Sequence, residues 1–493
     1  MKNNKLLFFP LFIFASVAFI CSCSKNDSSI PTPPDDNVKF MVLSDLHYMH
    51  PDILRSEGKA FDEYNAEECK LLRESDAILS AAIEKIKSEK PDFVIICGDM
   101  TKDGEVICHQ KVAEVLGNLQ NEIGTQVYVV PGNHDMNNPH SLYYDGSKTT
   151  KAESADEEQF ALIYEKLGYN KAVARREGSL DYMAYPAEGL AFIGVDSNEK
   201  NTKEKVLVQG GLQRIQTEWI KEMAQKAHSC GRSVILSMHH NLVDFYDNAQ
   251  LIRSANIANA RYDDYNNQNL IDDLCNAGID VVFSGHSHMH SITSAQSGSH
   301  TIYSIVTSSL VNLPIAYRCG VITKQGKMTL TSGDLTNCTP QAETNLKKQG
   351  EKYWHDLADY YMKEAADKAW ETAGGVFEYN LGFKDKAALL DYLNENVRDV
   401  FYTFLLRTSD GNEHLFTPET NYQAAEKALE TILKLFEEKG IMAYLDVILE
   451  FLFETNIDNI HTQFSKFFHS AYFNYLGNNP VMPDDAIEIQ LTR

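Results

Sequence analysis

Five short apolar segments each end abruptly in Asp, Asn or His, and this pattern constrains the fold more than any other feature. The segments are KFMVL, DFVIIC, QVYVV, SVILSM and IDVVF, and most of their residues are β-branched, aromatic or otherwise apolar. Continuous apolar runs of this length are typical of strands buried on both faces. Helix-like stretches, such as CKLLRESDAILSAAIEKIKSEK and the segment near 107–120, lie between the early runs. The sequence therefore predicts an α/β fold whose sheets are covered by helices.

Polar clusters follow these segments directly. Ligands of open α/β sheets bind in the crevice beyond the carboxyl ends of the strands, so we expect the five clusters to face one crevice. Residues i and i+2 of an extended segment lie on the same face, which would let both side chains of a D-x-H or H-x-H pair reach one point. In chain order, the clusters are Asp45-x-His47, Gly98-Asp99, Gly132-Asn133-His134-Asp135, His239-His240 and Gly285-His286-x-His288.

The residue types in these clusters indicate metal binding. Carboxylate, imidazole and amide ligands together suit Mn, Fe or Zn ions, whereas a thiolate-rich set would favour Zn. Two metal ions placed close together can stabilise both the attacking and the leaving oxygen of a phosphate ester, and they need a negative ligand between them. The structural alternative for Asp45, Asp99 and Asn133 is a turn or capping role at strand ends.

Taken together and in this order, the clusters resemble the calcineurin-like metallophosphoesterases over roughly residues 38–330. The resemblance implies a β-sandwich flanked by helices and two divalent or trivalent metal ions. It also implies that His134 contacts the phosphate and protonates the leaving oxygen, and that Asp135 orients His134. The implied ligands are Asp45, His47 and His288 for one ion, Asp99 as a bridge, and Asn133, His239 and His286 for the other.

A narrower resemblance, carried by GDMTKDG, VPGNHDMNNP, MHHNLVD and FSGHSHMH, is to a bacterial two-domain subgroup that includes cyclic-nucleotide phosphodiesterases. It implies hydrolysis of a small phosphate ester, foremost a phosphodiester, with a metal-bridging hydroxide as the nucleophile. A phosphomonoesterase or nucleotidase is the alternative within the enzymes. A non-catalytic metal-binding surface scaffold is the alternative of another class, which loss of Asp99 or His134 would favour; both residues are present.

Four further histidines are left without a ligand role. His240 could line the substrate site or pack beneath it. His290 lies past the H-x-H pair, and we expect it at the substrate rim or on the surface. For His109 and His140 we expect surface or loop roles rather than ligation.

The pattern changes after about residue 335. Residues 38–335 carry the strands and clusters, whereas 340–480 contain apolar residues at helical spacing, as in EKYWHDLADYYMKEAADKAWETA. The sequence thus predicts a catalytic domain followed by an all-helical domain.

The N-terminal segment predicts export. Lys2 and Lys5 precede the apolar run LLFFPLFIFASVAFI, which is typical of a signal peptide over residues 1–22. Ile20-Cys21-Ser22-Cys23 resembles a bacterial lipobox, and this resemblance implies a lipid anchor at Cys23 and a periplasmic or cell-surface lipoprotein. Residues 23–37, which include PTPPDD, are predicted to form a flexible tether.

The charge balance limits the classes of partner that the chain can bind. The chain has 45 Lys and Arg against 69 Asp and Glu, for a formal charge of −24. Proteins that bind nucleic acid over a broad surface need Lys and Arg against the phosphates. We therefore expect no broad nucleic-acid binding, while a small phosphate ester held by metal ions remains compatible with the charge.

Overall fold

The computed structural model describes residues 37–68, 70–200, 206–243, 258–260, 267–336, 345–398 and 486–493, with scattered positions between 427 and 438. Its strands are β1 (Val38–Leu43), β2 (Leu54–Ser56), β3 (Phe93–Ile96), β4 (Gln126–Val129), β5 (Leu142–Asp145), β6 (Lys148–Lys151), β7 (Ala172–Arg175), β8 (Tyr182–Ala187), β9 (Leu190–Gly194), β10 (Asn198–Lys200), β11 (Val206–Leu212), β12 (Ser233–Ser237), β13 (Ala258–Ala260), β14 (Val281–Ser284), β15 (Ser291–Ser297), β16 (His300–Val306), β17 (Ala316–Ile322), β18 (Lys327–Asp334) and β19 (Ala486–Gln490). The helices are α1 (Lys59–Glu68), α2 (Ser75–Glu89), α3 (Val106–Ile123), α4 (Glu157–Ile163), α5 (Arg214–Ser229), α6 (Asn267–Asn276), α7 (Leu346–Gly375) and α8 (Lys386–Asn396).

One large sheet has six strands in the order β19-β18-β17-β1-β3-β4. β1 pairs with β3, and β3 with β4, in parallel. Parallel neighbours end at the same edge of a sheet, so the segments that follow these three strands meet there. Those segments carry Asp45, Asp99 and Asn133.

The other large sheet has seven strands in the order β15-β16-β14-β12-β9-β8-β7. β9, β12, β14 and β16 are parallel and form its centre. The segments after β12 and β14 carry His239 and His286, so this sheet supplies the remaining clusters at its own carboxyl edge. Two smaller sheets, β10-β11-β13 and β2-β5-β6, lie in the connections.

Aromatic side chains join the two large sheets face to face. The rings of Phe40 and Phe93 stack with centroids 5.2 Å apart, and Phe283 of the second sheet meets Phe40 edge-on at 5.8 Å. Apolar residues of α5 and α6, such as Ile220 and Leu270, are buried against the second sheet. The predicted α/β fold, a sandwich of sheets flanked by helices, is confirmed.

Residues beyond 340 begin with helices, as expected. α7 and α8 are helical, and Tyr353 and Trp354 of α7 join the main apolar core. Most of the remainder of the predicted 340–480 domain lies outside the described residues, as do the signal peptide and nearly all of the tether, so these boundaries stay predictions. No helix within the described part of the chain combines the length and apolar character that crossing a bilayer requires.

The C-terminal strand was not foreseen from the sequence. β19 pairs antiparallel with β18 and forms the edge of the six-stranded sheet. The Thr492 hydroxyl donates a hydrogen bond to Asp280 at 3.0 Å. The last residues of the chain therefore belong to the sandwich rather than to the helical region.

Candidate metal centre and acid site

Three side chains converge on one side of the crevice. His288 Nε2 lies 3.4 Å from Asp45 Oδ1 and 3.0 Å from His47 Nε2. The Asp45 carboxylate also accepts the backbone N–H of His286 at 3.1 Å, which ties the two sheets together at this point. These atoms are close enough to share one metal ion.

A second set of side chains converges beside the first. Asn133 Oδ1 lies 3.1 Å from His239 Nε2 and 2.8 Å from His286 Nδ1. Asp99 Oδ2 lies 3.3 Å from His239 Nε2 and 3.5 Å from His47 Nε2. One carboxylate oxygen therefore stands between the two sets.

The chemistry of these atoms fits metal ions. His239 Nδ1 faces the carbonyl oxygen of Cys97 at 2.7 Å, so it carries the hydrogen, and the lone pair of Nε2 points towards Asp99 and Asn133. Burial, followed by the charge of Lys70, holds the pKa of His47 well below its ordinary value, and burial followed by His240 does so for His286. At His239, burial lowers the pKa but Asp99 outweighs burial and raises it to about 9, so a metal ion there takes the place of a proton. Neutral imidazoles and an ionised carboxylate are the forms that bind metals.

Asp99 is held in its ionised form. Burial alone would raise its pKa, but the neighbouring His239, His134 and His47 outweigh burial and keep the pKa well below the ordinary value. An ionised carboxylate can lie between two cations. This is the charge that a dinuclear centre requires of its shared ligand.

The backbone at the clusters differs from the expected extended geometry. Five of these residues have positive φ angles, in the left-handed region that residues other than glycine rarely adopt, at a cost of about 1–3 kcal/mol each. The D-x-H and H-x-H pairs therefore reach the crevice through strained turns beyond the strands, not as strand residues on one face. The angles are 50° at Asp45, 37° at His47, 49° at Asp99, 64° at His286 and 57° at His288.

Two glycines allow neighbouring loops to approach each other closely here. A side chain at Gly132 would overlap the carboxylate of Asp99, and one at Gly285 would overlap Ser44 and Asp45. The glycines of these two clusters thus admit the neighbouring carboxylates, as expected for residues that permit close backbone approach.

His134 lies at the mouth of the crevice, with 20% of its side chain exposed. Its Nδ1 is 2.9 Å from both Asp103 Oδ1 and the carbonyl oxygen of Lys102. Because both partners are acceptors, Nδ1 carries a hydrogen, and Nε2 is the nitrogen left to exchange a proton. Burial and Lys70 lower the pKa of His134, but Asp99 and Asp103 outweigh them, so the pKa lies above its ordinary value.

Asp103, not Asp135, holds the His134 ring. The expectation that Asp135 orients His134 is therefore wrong. The carboxylate of Asp135 accepts the backbone N–H of Gly132 at 2.8 Å and that of Thr101 at 3.2 Å. Asp135 therefore joins the two loops that carry Asp99 and His134. Its side chain points back into its own loop and away from the His134 ring.

Two more residues near the site were missed from the sequence. Asp103 belongs to the GDMTKDG stretch, where a second acid four residues after Asp99 was the available signal. Lys70 is 3% exposed, and it acts electrostatically on both His47 and His134. No motif marks Lys70, so sequence reasoning had nothing by which to select it.

Of the four unassigned histidines, His140 is exposed, as expected, and the other three are buried. His240 packs beneath the site: its Nε2 donates to the Val208 carbonyl at 3.0 Å, and its ring lies 4.2 Å from that of His286. The expected surface positions of His109 and His290 are wrong. His109 donates to the Asp135 carbonyl at 2.7 Å, and His290 donates to Ser332 at 2.7 Å, so both are core hydrogen-bonding residues.

The sequence pattern of the calcineurin-like phosphoesterases matches residues 38–290, more than half of the chain. No curated protein matches the chain by sequence. Among solved structures, the chain is similar to a dimetal phosphatase from Danio rerio, with 13% identity and a TM-score of 0.41 over 60% of this chain and 96% of that one. It is also similar to a putative 5'-nucleotidase from Staphylococcus aureus, with 13% identity and a TM-score of 0.35 over 64% of this chain and 58% of that one.

Proposed function

Because the chain belongs to the calcineurin-like phosphoesterases, a family of phosphoric ester hydrolases with a dinuclear metal centre, we propose that it hydrolyses small phosphate esters, phosphodiesters foremost. One observation carries the proposal. Asp99 Oδ2 stands 3.5 Å from His47 Nε2 in one ligand set and 3.3 Å from His239 Nε2 in the other. A buried, ionised oxygen shared in this way suits two cations.

The proposed ligands divide between the two sets, with Asp99 common to both. When bound, the two ions would activate water and stabilise charge on the phosphate oxygens. Mn, Fe and Zn all suit this mixture of carboxylate, imidazole and amide groups. The first set is Asp45, His47 and His288, and the second is Asn133, His239 and His286.

His134 is the proposed general acid. Asp103 accepts the hydrogen of its Nδ1 and stabilises the charged ring, which leaves Nε2 to give its proton to the leaving oxygen. The raised pKa keeps that proton available near neutral pH. Asp135 acts at one remove, by fixing the loop from which His134 projects.

Phosphomonoesters are the second candidate substrates. The buried ammonium of Lys70 favours them, because it adds positive charge beside His47 and His134 and a monoester carries more negative charge than a diester.

A turnover panel tests the proposal. The purified protein with Mn²⁺ is given bis-p-nitrophenyl phosphate, p-nitrophenyl phosphate and cyclic AMP, and Asp99→Ala is the control. We expect the parent to hydrolyse at least one of these esters and Asp99→Ala to lose both metal and activity. Activity of Asp99→Ala equal to the parent, or no turnover of any ester, would contradict a dinuclear hydrolase.

We also propose that Cys23 is lipid-modified and anchors the enzyme to a membrane. The motif Ile20-Cys21-Ser22-Cys23 after the apolar run supports this. Expression in bacteria with a clickable fatty acid should label the parent and not Cys23→Ser. Equal labelling of the two proteins would remove the anchor from the proposal.

A further inference from the structure

Lys70 is a buried cation in the segment between α1 and α2. Its residue exposure is 3%, and its Nζ lies 2.6 Å from Glu68 Oε2, whose side chain is 30% exposed. Within the described part of the chain, Glu68 supplies the one ion pair of this ammonium. Burying an ammonium is costly. The ammonium of Lys70 has three N–H donors, and a single, partly exposed carboxylate accepts only some of them.

The chain on either side of Lys70 is fixed against the acid site. Before it, the Tyr64 hydroxyl donates to Asp103 Oδ2 at 2.8 Å, and Asp103 Oδ1 accepts from His134. Asp103 thus connects α1, which precedes the segment, to the proposed general acid.

After Lys70, the chain is fixed against the first ligand set. The backbone N–H of Leu71 donates to the Val311 carbonyl at 2.7 Å, and that of Leu310 donates to the Asp45 carbonyl at 3.2 Å. Further along, Ser75 Oγ accepts the backbone N–H of Met49, two residues after His47, at 3.0 Å.

Lys70 therefore lies on a segment that crosses from the support of His134 to the loops of Asp45 and His47. Its charge acts on both rings: after burial, it is the largest influence that lowers the pKa of His47 and of His134. A cation on this segment is near enough to both the proposed acid and a proposed metal ligand to meet a phosphate held between them.

We propose that the Lys70 ammonium binds a non-bridging oxygen of the substrate phosphate and thereby favours dianionic monoesters over monoanionic diesters. The proposal rests on the phosphoester hydrolysis proposed above. Glu68 balances the ammonium in the free enzyme. The dianion of a monoester offers more charge to a desolvated ammonium than a diester does, so a monoester gains more from this contact.

Lys70→Met is the direct test, because it removes the charge and keeps much of the volume. We expect kcat/KM for p-nitrophenyl phosphate to fall about 10- to 100-fold, the range for a hydrogen bond to a charged group. For bis-p-nitrophenyl phosphate the fall should be several-fold smaller, and the metal content should be unchanged. Lys70→Arg, which keeps the charge, should retain most of the parent's kcat/KM for p-nitrophenyl phosphate.

Glu68→Gln distinguishes substrate binding from a structural ion pair. It breaks the pair and keeps the ammonium, so monoester turnover should stay equal or rise. If Glu68→Gln and Lys70→Met lower the turnover of both esters equally, the ion pair is structural and the proposal is overturned. This variant also keeps the proposal testable if Lys70→Met folds poorly.

Lys59→Met is the matched control, since Lys59 lies on α1 and its exposed ammonium pairs with Glu63 at 3.3 Å. The ratio of monoester to diester kcat/KM should be that of the parent. An unchanged ratio in Lys70→Met, with an active parent, overturns the Lys70 proposal alone. An inactive parent overturns the proposed function instead.

Discussion

The two sides of the crevice hold their histidines in different ways. On the acid side, which comprises His134, Asp103, Lys102 and Tyr64, the ring of His134 is held by a carboxylate that is itself ion-paired with Lys102. On the ligand side, which comprises His239, His240 and His286, His239 and His240 donate to the neutral backbone carbonyls of Cys97 and Val208.

The difference fits the role proposed for each histidine. A general acid needs its charged ring stabilised, which a carboxylate does and a carbonyl does less well. A metal ligand needs one fixed hydrogen, and a backbone carbonyl fixes it while favouring the charged ring less than a carboxylate does. Burial, and after it the neighbouring His239, lowers the pKa of His240 to about 3, although the Val208 carbonyl acts in the opposite direction.

The sharpest test of this contrast replaces one histidine from each side. His134→Ala should lower kcat by roughly 10²–10⁴-fold, the usual contribution of a general acid. His239→Ala should abolish turnover and also release metal, because it removes a ligand. Metal analysis beside steady-state rates separates the two effects.

Loss of metal from His134→Ala would make His134 a ligand and remove the contrast. Full metal content in His239→Ala would show that His239 is not a ligand, which would also remove the contrast. Both variants should be compared at equal and saturating metal, so that affinity and rate are read separately.

Asp103→Asn tests the charge on the acid side. The amide keeps the shape and removes the charge, so kcat should fall roughly 10- to 100-fold, as for the loss of one charged hydrogen bond. In a double variant with His134→Ala, the second change should add little, because Asp103 acts through the ring. An additive double variant would show that Asp103 acts elsewhere.

Glu105→Gln is the control for this prediction. Glu105 also pairs with Lys102, at 3.2 Å, and does not contact the ring of His134. A fall in kcat as large as that of Asp103→Asn would mean that the Lys102 network matters as a whole, not the contact between Asp103 and His134.

The parts of the site that the sequence predicted are those at strand ends. Apolar runs that end in Asp, Asn or His predicted both the sheets and the crevice, because parallel strands bring their carboxyl ends together. The backbone strain at Asp45 and His286 was not predictable from alternation, since it arises from turns that tertiary contacts enforce.

Contacts that support the clusters were predicted less well than the convergence of the clusters themselves. Asp135 follows His134 but turns away from it, whereas Asp103 reaches the ring from another loop. Lys70 approaches the site, and β19 joins its sheet, only when the chain folds. No local sequence pattern predicts such long-range contacts. The burial of His109 and His290 was missed for the same reason.

His240→Phe tests the ligand side with a smaller expected effect. Phenylalanine keeps a ring against His286 but removes the hydrogen bond to the Val208 carbonyl and the one between Nδ1 and the Ser197 hydroxyl at 2.9 Å. Metal affinity should fall about tenfold, at the lower end for partners that orient a ligand. At saturating metal kcat should return close to the parent value; a persistent loss of kcat would mean that His240 serves the reaction itself.

Tyr64→Phe should give the smallest effect. It removes the hydroxyl that donates to Asp103 at 2.8 Å and leaves the contact between Asp103 and His134 in place. The expected fall in kcat is about three- to tenfold, as for one hydrogen bond, with metal content unchanged.

Tyr144→Phe is its matched control. The Tyr144 ring also lies near Lys102, 5.3 Å from Nζ, but its buried hydroxyl has no hydrogen-bond partner within the described part of the chain. Removing that hydroxyl should leave kcat unchanged and should not lower stability, because an unsatisfied buried polar group is itself costly. Equal losses in the two variants would show that aromatic packing around Lys102, and not the hydrogen bond from Tyr64, supports the acid side.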